Sequence, residues 1–188
     1  SIAFSEGPIL LDDQFELPSG FHIYRAAQPE LTGGSYDLTF DGKGRLLVGD
    51  GKAVRRLKDG NGDGLYESQE TIAEGLGGRG PQGLLVYGDY LYAVDNSANL
   101  HCYDATTGVE RWKHNAGTVM KASPVVADGK IYLQSHAGEV FVVDAKSGNL
   151  LNRTMMGEKG DDRTRASIAV AGSQLFIRTN SRLFCVGK

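Results

Sequence analysis

The residues with the most definite chemistry form an acidic, glycine-rich segment. It runs from Asp59 to Glu70 and reads Asp-Gly-Asn-Gly-Asp-Gly-Leu-Tyr-Glu-Ser-Gln-Glu. This order satisfies the pattern of a calcium-binding loop, which places side-chain oxygens at its first, third and fifth positions, a main-chain carbonyl at its seventh and a carboxylate at its last. Ca²⁺ prefers oxygen ligands of this kind. The predicted metal ligands are Asp59, Asn61, Asp63, the carbonyl of Leu65, and Glu67 or Glu70.

The sequence on both sides of this loop predicts β-strands. The pair of helices that frames such a loop in EF-hands is therefore missing, and Glu70 falls within a predicted strand. Glu67 can then replace Glu70 as the closing carboxylate. A long polar hairpin turn that binds no metal explains the same residues, so both interpretations stay open.

The remaining polar residues favour no catalytic constellation. The sequence contains no Gly-x-Ser-x-Gly segment, and its four histidines are scattered over separate strands and turns. No two of them have the spacing of metal ligands. We predict structural roles for His22 and His101, which fall within strands, and expect His136, which falls in a turn, to be the most exposed. No catalytic residue is assigned.

Length and composition indicate one globular domain. The chain has 188 residues, a net charge of −3, and 26 glycines against 5 prolines. A negative net charge argues against non-specific binding of nucleic acid, which needs a basic surface. No apolar run approaches the roughly 18 residues of a membrane span, and residues 1–15 do not have the pattern of a signal peptide. We therefore expect no nucleic-acid partner, no membrane span and no signal peptide in this sequence.

A repeat of short strands runs along the chain. Each of four units contains apolar runs of two-residue periodicity, separated by glycine-rich turns. The second runs, anchored at Leu46, Leu91, Ile131 and Leu175, lie 45, 40 and 44 residues apart. A period of about 40–50 residues with about four strands per unit is typical of β-propeller blades. The sequence therefore predicts an all-β fold, a single β-propeller domain over 1–188 with blades at about 35–74, 82–114, 122–156 and 166–188.

The fourth unit ends after three strands, whereas residues 21–26 form an extended run without a partner. We predict that this run supplies the missing outer strand and closes a ring of four four-stranded blades, because an exposed sheet edge leaves backbone groups unpaired. The alternative is an eight-bladed ring formed by a homodimer, with 21–26 crossing to the partner. In the four-bladed ring Cys102 and Cys185 lie on opposite blades, so both are predicted to be free and buried.

The second half of the chain resembles the repeats of quinoprotein (PQQ-like) propellers. The segments that carry the likeness are Leu100-His-Cys-Tyr-Asp-Ala-Thr-Thr-Gly-Val-Glu-Arg-Trp112, Ala122-Ser-Pro-Val-Val-Ala-Asp-Gly-Lys-Ile-Tyr132 and Val140-Phe-Val-Val-Asp-Ala-Lys-Ser-Gly148. The resemblance implies a structural role for the signature, with turns opened by aspartate, positive φ at glycine, and Trp112 packed between blades. Asn152 stands where the later repeat would carry its tryptophan. Propellers of this family have about eight blades, which favours the dimeric alternative.

The first half resembles the propeller of sorbosone-dehydrogenase-like proteins. Four segments carry this likeness: Leu17-Pro-Ser-Gly-Phe21, Leu38-Thr-Phe-Asp41, Gly44-Arg-Leu-Leu-Val48 and Gly80-Pro-Gln-Gly-Leu84. The two resemblances cover about 17–94 and about 95–188, and the net charge changes from −6 over 1–94 to +3 over 95–188. We therefore predict a junction near 94–96 and an engineered or recombined chimera. A single divergent natural protein is the alternative.

These resemblances imply two classes of function. The first is a non-catalytic β-propeller scaffold or binding module with a calcium loop, which that first-half family often carries here. The second is a fragment or relative of a quinone-dependent sugar or alcohol dehydrogenase. Bound PQQ is not expected, since the repeat signature builds blades and the family's cofactor site draws on a larger ring. Arg79, Arg163 and Arg165 fall in predicted blade-connecting loops, where they can face a central funnel. A natural protein of this kind is expected in the periplasm or outside the cell.

Overall fold

The computed structural model describes residues 11–158, 161 and 163–187, and this part of the chain is built almost entirely of β-strands. The only helices in it are α1 (Pro29–Thr32) and a 3-10 turn (Asp12–Gln14). Blade 1 contains β1 (Leu38–Phe40), β2 (Leu46–Asp50), β3 (Ala53–Lys58) and β4 (Ser68–Glu74), and blade 2 contains β5 (Pro81–Tyr87), β6 (Tyr90–Asp95), β7 (Asn99–Asp104) and β8 (Glu110–Asn115). Blade 3 contains β9 (Val125–Ala127), β10 (Lys130–Gln134), β11 (Glu139–Asp144) and β12 (Leu150–Met155), and blade 4 contains β13 (Ala169–Ala171), β14 (Gln174–Arg178) and β15 (Leu183–Gly187). The predicted all-β propeller architecture is confirmed.

Each blade is an antiparallel sheet whose strands follow one another in chain order. The first strands of neighbouring blades lie side by side, β1 against β5 and β9 against β13. The two-residue hairpin predicted at Asp128 and Gly129 has φ angles of 50° and 67°, as a type I′ turn requires. Within the described ranges no helix is long and apolar enough to cross a membrane.

Hydrogen bonds at the starts of the first strands tie the four blades together. Asp37, before β1, accepts hydrogen bonds from the main-chain N–H of Leu84 at 2.5 Å and from the hydroxyl of Ser123 at 3.0 Å. The main-chain N–H of Ser123 in turn donates to the hydroxyl of Ser167 at 3.1 Å. A Cβ at Gly83 would lie only 2.5 Å from the Cα of Ser123, so this approach requires glycine.

Three hydrophobic cores hold the blades face to face, one between each pair of neighbours. They are centred on Leu47, Val54 and Leu91 between blades 1 and 2, on Tyr92, Phe141 and Val143 between blades 2 and 3, and on Val140, Ile168 and Ile177 between blades 3 and 4. A strand buries one set of alternating side chains on each face of its sheet. The apolar alternation of the sequence is therefore satisfied by packing blade on blade.

The turn between the third and fourth strands of a blade packs on the blade before it. Gly108 lies directly against the main chain of Ile72 in β4, and Gly148 lies against the indole of Trp112 in β8. Trp112 also packs beside Tyr92, with ring centroids 5.9 Å apart. The position of Trp112 between blades 2 and 3 agrees with the role that the repeat signature implies.

The N-terminal segment lies on blade 1. The carboxylate of Asp12 accepts hydrogen bonds from the main-chain N–H of Ile23 and the ring of His22, both at 2.7 Å. The main-chain N–H of Tyr66 donates to the carbonyl of Ala26 at 2.8 Å. Residues 21–26 form no strand with β15 in the described part of the chain, so the predicted closure of the ring is not confirmed. His22 is exposed and lies outside any strand, which corrects its predicted placement.

The two ends of the row of blades carry uncovered apolar side chains. On blade 4, the side chains of Phe176, Leu183 and Cys185 share the face turned away from blade 3, and Leu183 is 70% exposed. On blade 1, Leu38 and Phe40 are more than half exposed. Both cysteines are free, as predicted, but only Cys102 is buried. The expected burial of Cys185 is wrong because no neighbouring blade covers its face.

A buried polar network holds the loop between blades 1 and 2. Asp95, at the end of β6, is 0% exposed and lies 2.9 Å from Nε2 of His101. Its carboxylate also accepts hydrogen bonds from the side chain of Asn99 and from the main-chain N–H of Gly77. The other ring nitrogen of His101 lies 3.1 Å from the carboxylate of Glu110. Burial by itself raises the pKa of Asp95, but the hydrogen bonds from His101 and Asn99 outweigh it and lower the pKa to about 2.

We predict that Gly148→Ala lowers the free energy of unfolding by about 3 kcal/mol. The added methyl group meets the indole of Trp112 at 2.6 Å, and overpacking of this kind costs about 1–3 kcal/mol. The left-handed backbone at this position adds a further cost of about 1 kcal/mol for a residue with a side chain. Gly129→Ala is the matched control, since Gly129 has a similar φ and open space around it. It should cost about 1 kcal/mol. If urea unfolding showed the same loss of stability in Gly148→Ala and Gly129→Ala, the contact of the turn with Trp112 would not explain the need for glycine at 148.

The Asp95 network predicts a defined acid sensitivity. A carboxyl whose pKa falls to about 2 on folding stabilises the fold fully above its unfolded pKa of about 4, and loses that contribution as the pH drops towards 2. The contribution amounts to roughly 2 kcal/mol. Asp95→Asn should therefore destabilise the protein at pH 7 and flatten this part of the pH–stability curve. Asp89→Asn, in the exposed turn between β5 and β6, is the control, and an Asp95→Asn curve parallel to that of the original chain would refute the prediction.

Candidate functional site

The acidic segment between β3 and β4 folds into a compact loop. Carboxylate oxygens of Asp59, Asp63 and Glu67 all lie within 4.8 Å of one another. Asp59 accepts hydrogen bonds from the main-chain N–H groups of Gly62 at 2.7 Å and Gly64 at 2.9 Å. These glycines have φ angles of 79° and 85°, which lets the chain turn twice within a few residues. The loop thereby gathers three negative charges at one point.

Other predicted ligands take part in bonds within the loop. The side-chain oxygen of Asn61 accepts a hydrogen bond from the main-chain N–H of Asp63 at 3.0 Å, and its amide nitrogen donates to the Asp63 carboxylate at 2.9 Å. The main-chain N–H of Leu65 donates to the same carboxylate at 2.8 Å. The hydrogen bonds from Gly64 and Gly62 outweigh partial burial and lower the pKa of Asp59, which is therefore ionised at neutral pH.

Glu70 lies outside this cluster. Its carboxylate contacts the guanidinium of Arg56 and the ammonium of Lys58, each at 2.7 Å. The ammonium of Lys58 is the larger cause of a lowered Glu70 pKa, and Arg56 adds to it. Glu67 instead accepts a hydrogen bond from the main-chain N–H of Gly60 at 3.0 Å, within the loop. Of the two glutamates that the sequence offers, the fold brings Glu67 to the other acidic side chains.

A second group of side chains lines an open cavity of about 640 Å³ at the loops that join blades 2, 3 and 4. The cavity is lined by Thr118, Val119, His136, Ala137, Arg163 and Arg165. The sequence placed Arg163 and Arg165 in a blade-connecting loop, and the structure brings them together with His136. Arg79 does not line this cavity. Sequence reasoning missed the contribution of His136, because it comes from a hairpin turn of a different blade.

The sequence matches a protein family over residues 19–187, and the description of that family is outer membrane protein assembly factor BamB. The match crosses residues 94–96, where the sequence predicts a junction, so it includes both halves. The outer membrane protein assembly factor BamB of Shewanella oneidensis is 32% identical over 109 residues, which are 57% of this chain and 26% of the relative. The chain thus spans about a quarter of the length of this curated relative.

Two solved structures show the same fold. BamB from Moraxella catarrhalis superposes with a TM-score of 0.60 at 16% identity, over 81% of this chain and 46% of that chain. The computationally designed Ika4 protein superposes with a TM-score of 0.64 at 13% identity, over 87% of this chain and 97% of that chain. Both agree with the propeller-type repeats seen in the sequence. Because the family match extends over residues 19–187, the chain belongs to the BamB family of outer membrane protein assembly factors.

Proposed function

We propose that this protein is a non-catalytic β-propeller scaffold that takes part in the assembly of outer membrane proteins. Family membership supports this proposal, since its relatives are described as assembly factors. The packing supports it as well, because the most deeply buried polar groups serve the fold. Asp95 and His101 bind each other and a blade-connecting loop. The alternative is a fragment of a quinone-dependent dehydrogenase. If this alternative is correct, the absorbance spectrum of a quinone should change when the protein is titrated with it.

The family match over residues 19–187 is the single observation that carries the scaffold proposal, and the end of blade 4 indicates how the scaffold would associate. Within the described ranges this blade has three strands where the others have four, so β15 is there an edge strand with which another chain can pair. Its free face carries an apolar group, with Leu183 and Cys185 exposed and Phe176 half-buried, flanked by the exposed Gln174 and Arg178. An edge strand beside an apolar face is the usual setting for the addition of a further strand.

We propose a second copy of the chain as the partner of this end. The chain superposes on 46% of the BamB structure from Moraxella catarrhalis, so two copies of the chain would together match the size of that propeller. Blade 1 of the second copy, with its N-terminal segment, would then cover blade 4 of the first. Residues 21–26 of the second copy would lie beside β15, where Phe21 is 67% exposed and available. A two-fold axis repeats this contact and completes an eight-bladed ring.

Light scattering after gel filtration tests this assembly. The chain has a mass of 20.2 kDa, so the completed ring should have about twice that mass. Leu183→Lys places a charge on the free face of blade 4 without entering a core, and should raise the dimer dissociation constant by about tenfold or more. Leu151→Lys, at a position 52% exposed on β12, should leave it unchanged. A monomer at all concentrations would refute the dimer but leave the family assignment intact.

We also propose that the loop around Asp59, Asp63 and Glu67 binds Ca²⁺. The clustering of three carboxylates supports this, as does the lowered pKa of Asp59, since a metal ligand must be deprotonated. Asn61 and the carbonyl of Leu65 complete the proposed ligand set. Ca²⁺ would also fix the N-terminal segment, because the Tyr66 N–H that bonds Ala26 lies in the same loop.

Thermal unfolding with and without Ca²⁺ tests the metal site. At a concentration about 100 times the dissociation constant, the ion should stabilise the protein by about 2.7 kcal/mol. Glu67→Gln should remove most of this gain. Glu70→Gln should retain it while lowering the basal stability, because Glu70 pairs with Arg56 and Lys58. Loss of the calcium response in both variants, or in neither, would contradict the proposed ligand set.

The chimeric origin stays a proposal. The change of net charge from −6 over 1–94 to +3 over 95–188 supports it. The two resemblances seen in the sequence, of which the sorbosone-dehydrogenase-like one covers about 17–94, also support it. Sequencing the source locus tests the idea, because a single uninterrupted natural reading frame across residues 94–96 would rule out an engineered fusion.

A further inference from the structure

The cavity between blades 2, 3 and 4 has a strongly cationic lining. Arg163 and Arg165 come from the loop between blades 3 and 4, and His136 comes from the turn between β10 and β11. Both arginines are exposed and reach the cavity from one side. Thr118 adds a hydroxyl group, while Val119 and Ala137 give it an apolar wall. The cavity therefore combines positive charge with a small apolar surface.

His136 connects the three segments that form this cavity. Its main-chain N–H donates to the carbonyl of Val119 at 2.8 Å, and its own carbonyl accepts from the N–H of Arg163 at 2.7 Å. Its ring nitrogen Nδ1 lies 2.9 Å from the carbonyl of Thr164. A carbonyl only accepts hydrogen bonds, so Nδ1 carries a hydrogen. The orientation of the ring is thereby fixed, and in the neutral ring Nε2 is left as a hydrogen-bond acceptor, so the part of His136 is to hold the three segments together.

The loop that carries the arginines is anchored on both sides. Asp161 accepts hydrogen bonds from the hydroxyl of Thr179 at 2.6 Å and from the main-chain N–H of Ser181 at 2.5 Å. The hydroxyl of Thr164 donates to the carbonyl of Arg178 at 3.0 Å. Rigid anchoring of this kind pre-organises a binding site, because little side-chain and loop entropy remains to be lost on binding.

Arg163 has an unusual backbone conformation. Its φ is 94°, a region that costs a residue with a side chain roughly 1–3 kcal/mol. Such strain persists where the surrounding structure imposes it, and it concentrates at functional sites. The nearby carboxylate of Asp161 is buried in its bonds to blade 4 and faces Thr179 and Ser181. Among the described residues of the loop, those that line the cavity are therefore the two arginines.

We propose that this cavity binds a carboxylate that bears an apolar group. A guanidinium fork matches the two oxygens of a carboxylate, and two such forks with the hydroxyl of Thr118 can surround it. Val119 and Ala137 then contact the apolar part of the same ligand. A free organic acid and the C-terminal end of a peptide share this chemistry. The site is independent of the dimer and of the calcium loop, and it adds a ligand class to the proposed scaffold.

Calorimetric titration with three small probes tests the site. N-acetyl-leucine imitates a peptide end, butyrate is a free acid, and N-acetyl-leucinamide lacks the charge. The two acids should bind and the amide should bind at least about tenfold more weakly. Tighter binding of N-acetyl-leucine than of butyrate would assign a chain end, and the reverse would assign a free acid. The proposal would be overturned if N-acetyl-leucine and its amide bound equally well. It would also be overturned if neither of the two acids bound.

Matched variants locate the binding. The double variant Arg163→Gln and Arg165→Gln should weaken binding of the acids by about tenfold or more. Arg79→Gln changes an exposed arginine of the equivalent loop between blades 1 and 2, and should leave affinity within about twofold. If the double variant and Arg79→Gln lost similar amounts of affinity for the acids, general surface charge would be responsible, and the proposed site would be overturned. Melting temperatures establish that both variants are folded. Val119→Ser, at an exposed position, should weaken the binding of N-acetyl-leucine more than that of butyrate.

Discussion

A β-propeller blade cannot bury both of its faces by itself, and this constraint governs the whole structure. Each sheet here has apolar side chains on both faces, so it is stable only between two neighbours. Blades 2 and 3 have such neighbours, and their cores contain fully buried side chains such as Leu91, Tyr92 and Ile131. In the part of the chain that the structure describes, blades 1 and 4 form a core with a neighbouring blade on one side only. The apolar surface left at the two ends follows directly from the repeat architecture.

The same constraint places the polar groups. Each blade-connecting loop is held by the hairpin between the second and third strands of a blade. Asp95 binds the loop between blades 1 and 2 at Gly77, His136 binds the next loop at Val119, and Asp161 joins the third loop to Thr179. A propeller thus orders its connecting loops with buried or half-buried hydrogen bonds. As a result, Arg163 and Arg165, from the loop between blades 3 and 4, line the same cavity as His136, from a hairpin of blade 3.

Local sequence signals predicted the parts of this structure that depend on local physics. The alternating apolar runs and Asp-Gly turns predicted the strands, and the aspartate–glycine turns predicted the positions of Gly108 and Gly148. The closing strand at 21–26 could not be predicted in this way. Its partner is chosen by tertiary contacts, and the hydrogen bonds of Ile23 with Asp12 and of Ala26 with Tyr66 compete with any bond to β15. Which glutamate joins the acidic cluster of Asp59 and Asp63 could not be predicted either, because the ion pairs of Glu70 with Arg56 and Lys58 depend on strand register.

We propose that a second copy covers the free face of blade 4, and the thiol of Cys185 reports on this contact directly. Cys102 is buried and burial raises the pKa of its thiol to about 12, so the native chain should react with a thiol reagent only at the exposed Cys185. The decisive measurement is the labelling rate of Cys185 as a function of chain concentration. In the original chain, Cys185 should be labelled rapidly in dilute solution and strongly protected at concentrations where the chains associate. In the Leu183→Lys variant, Cys185 should be labelled rapidly at every concentration. A rate that does not change with concentration and is the same in both chains would contradict it.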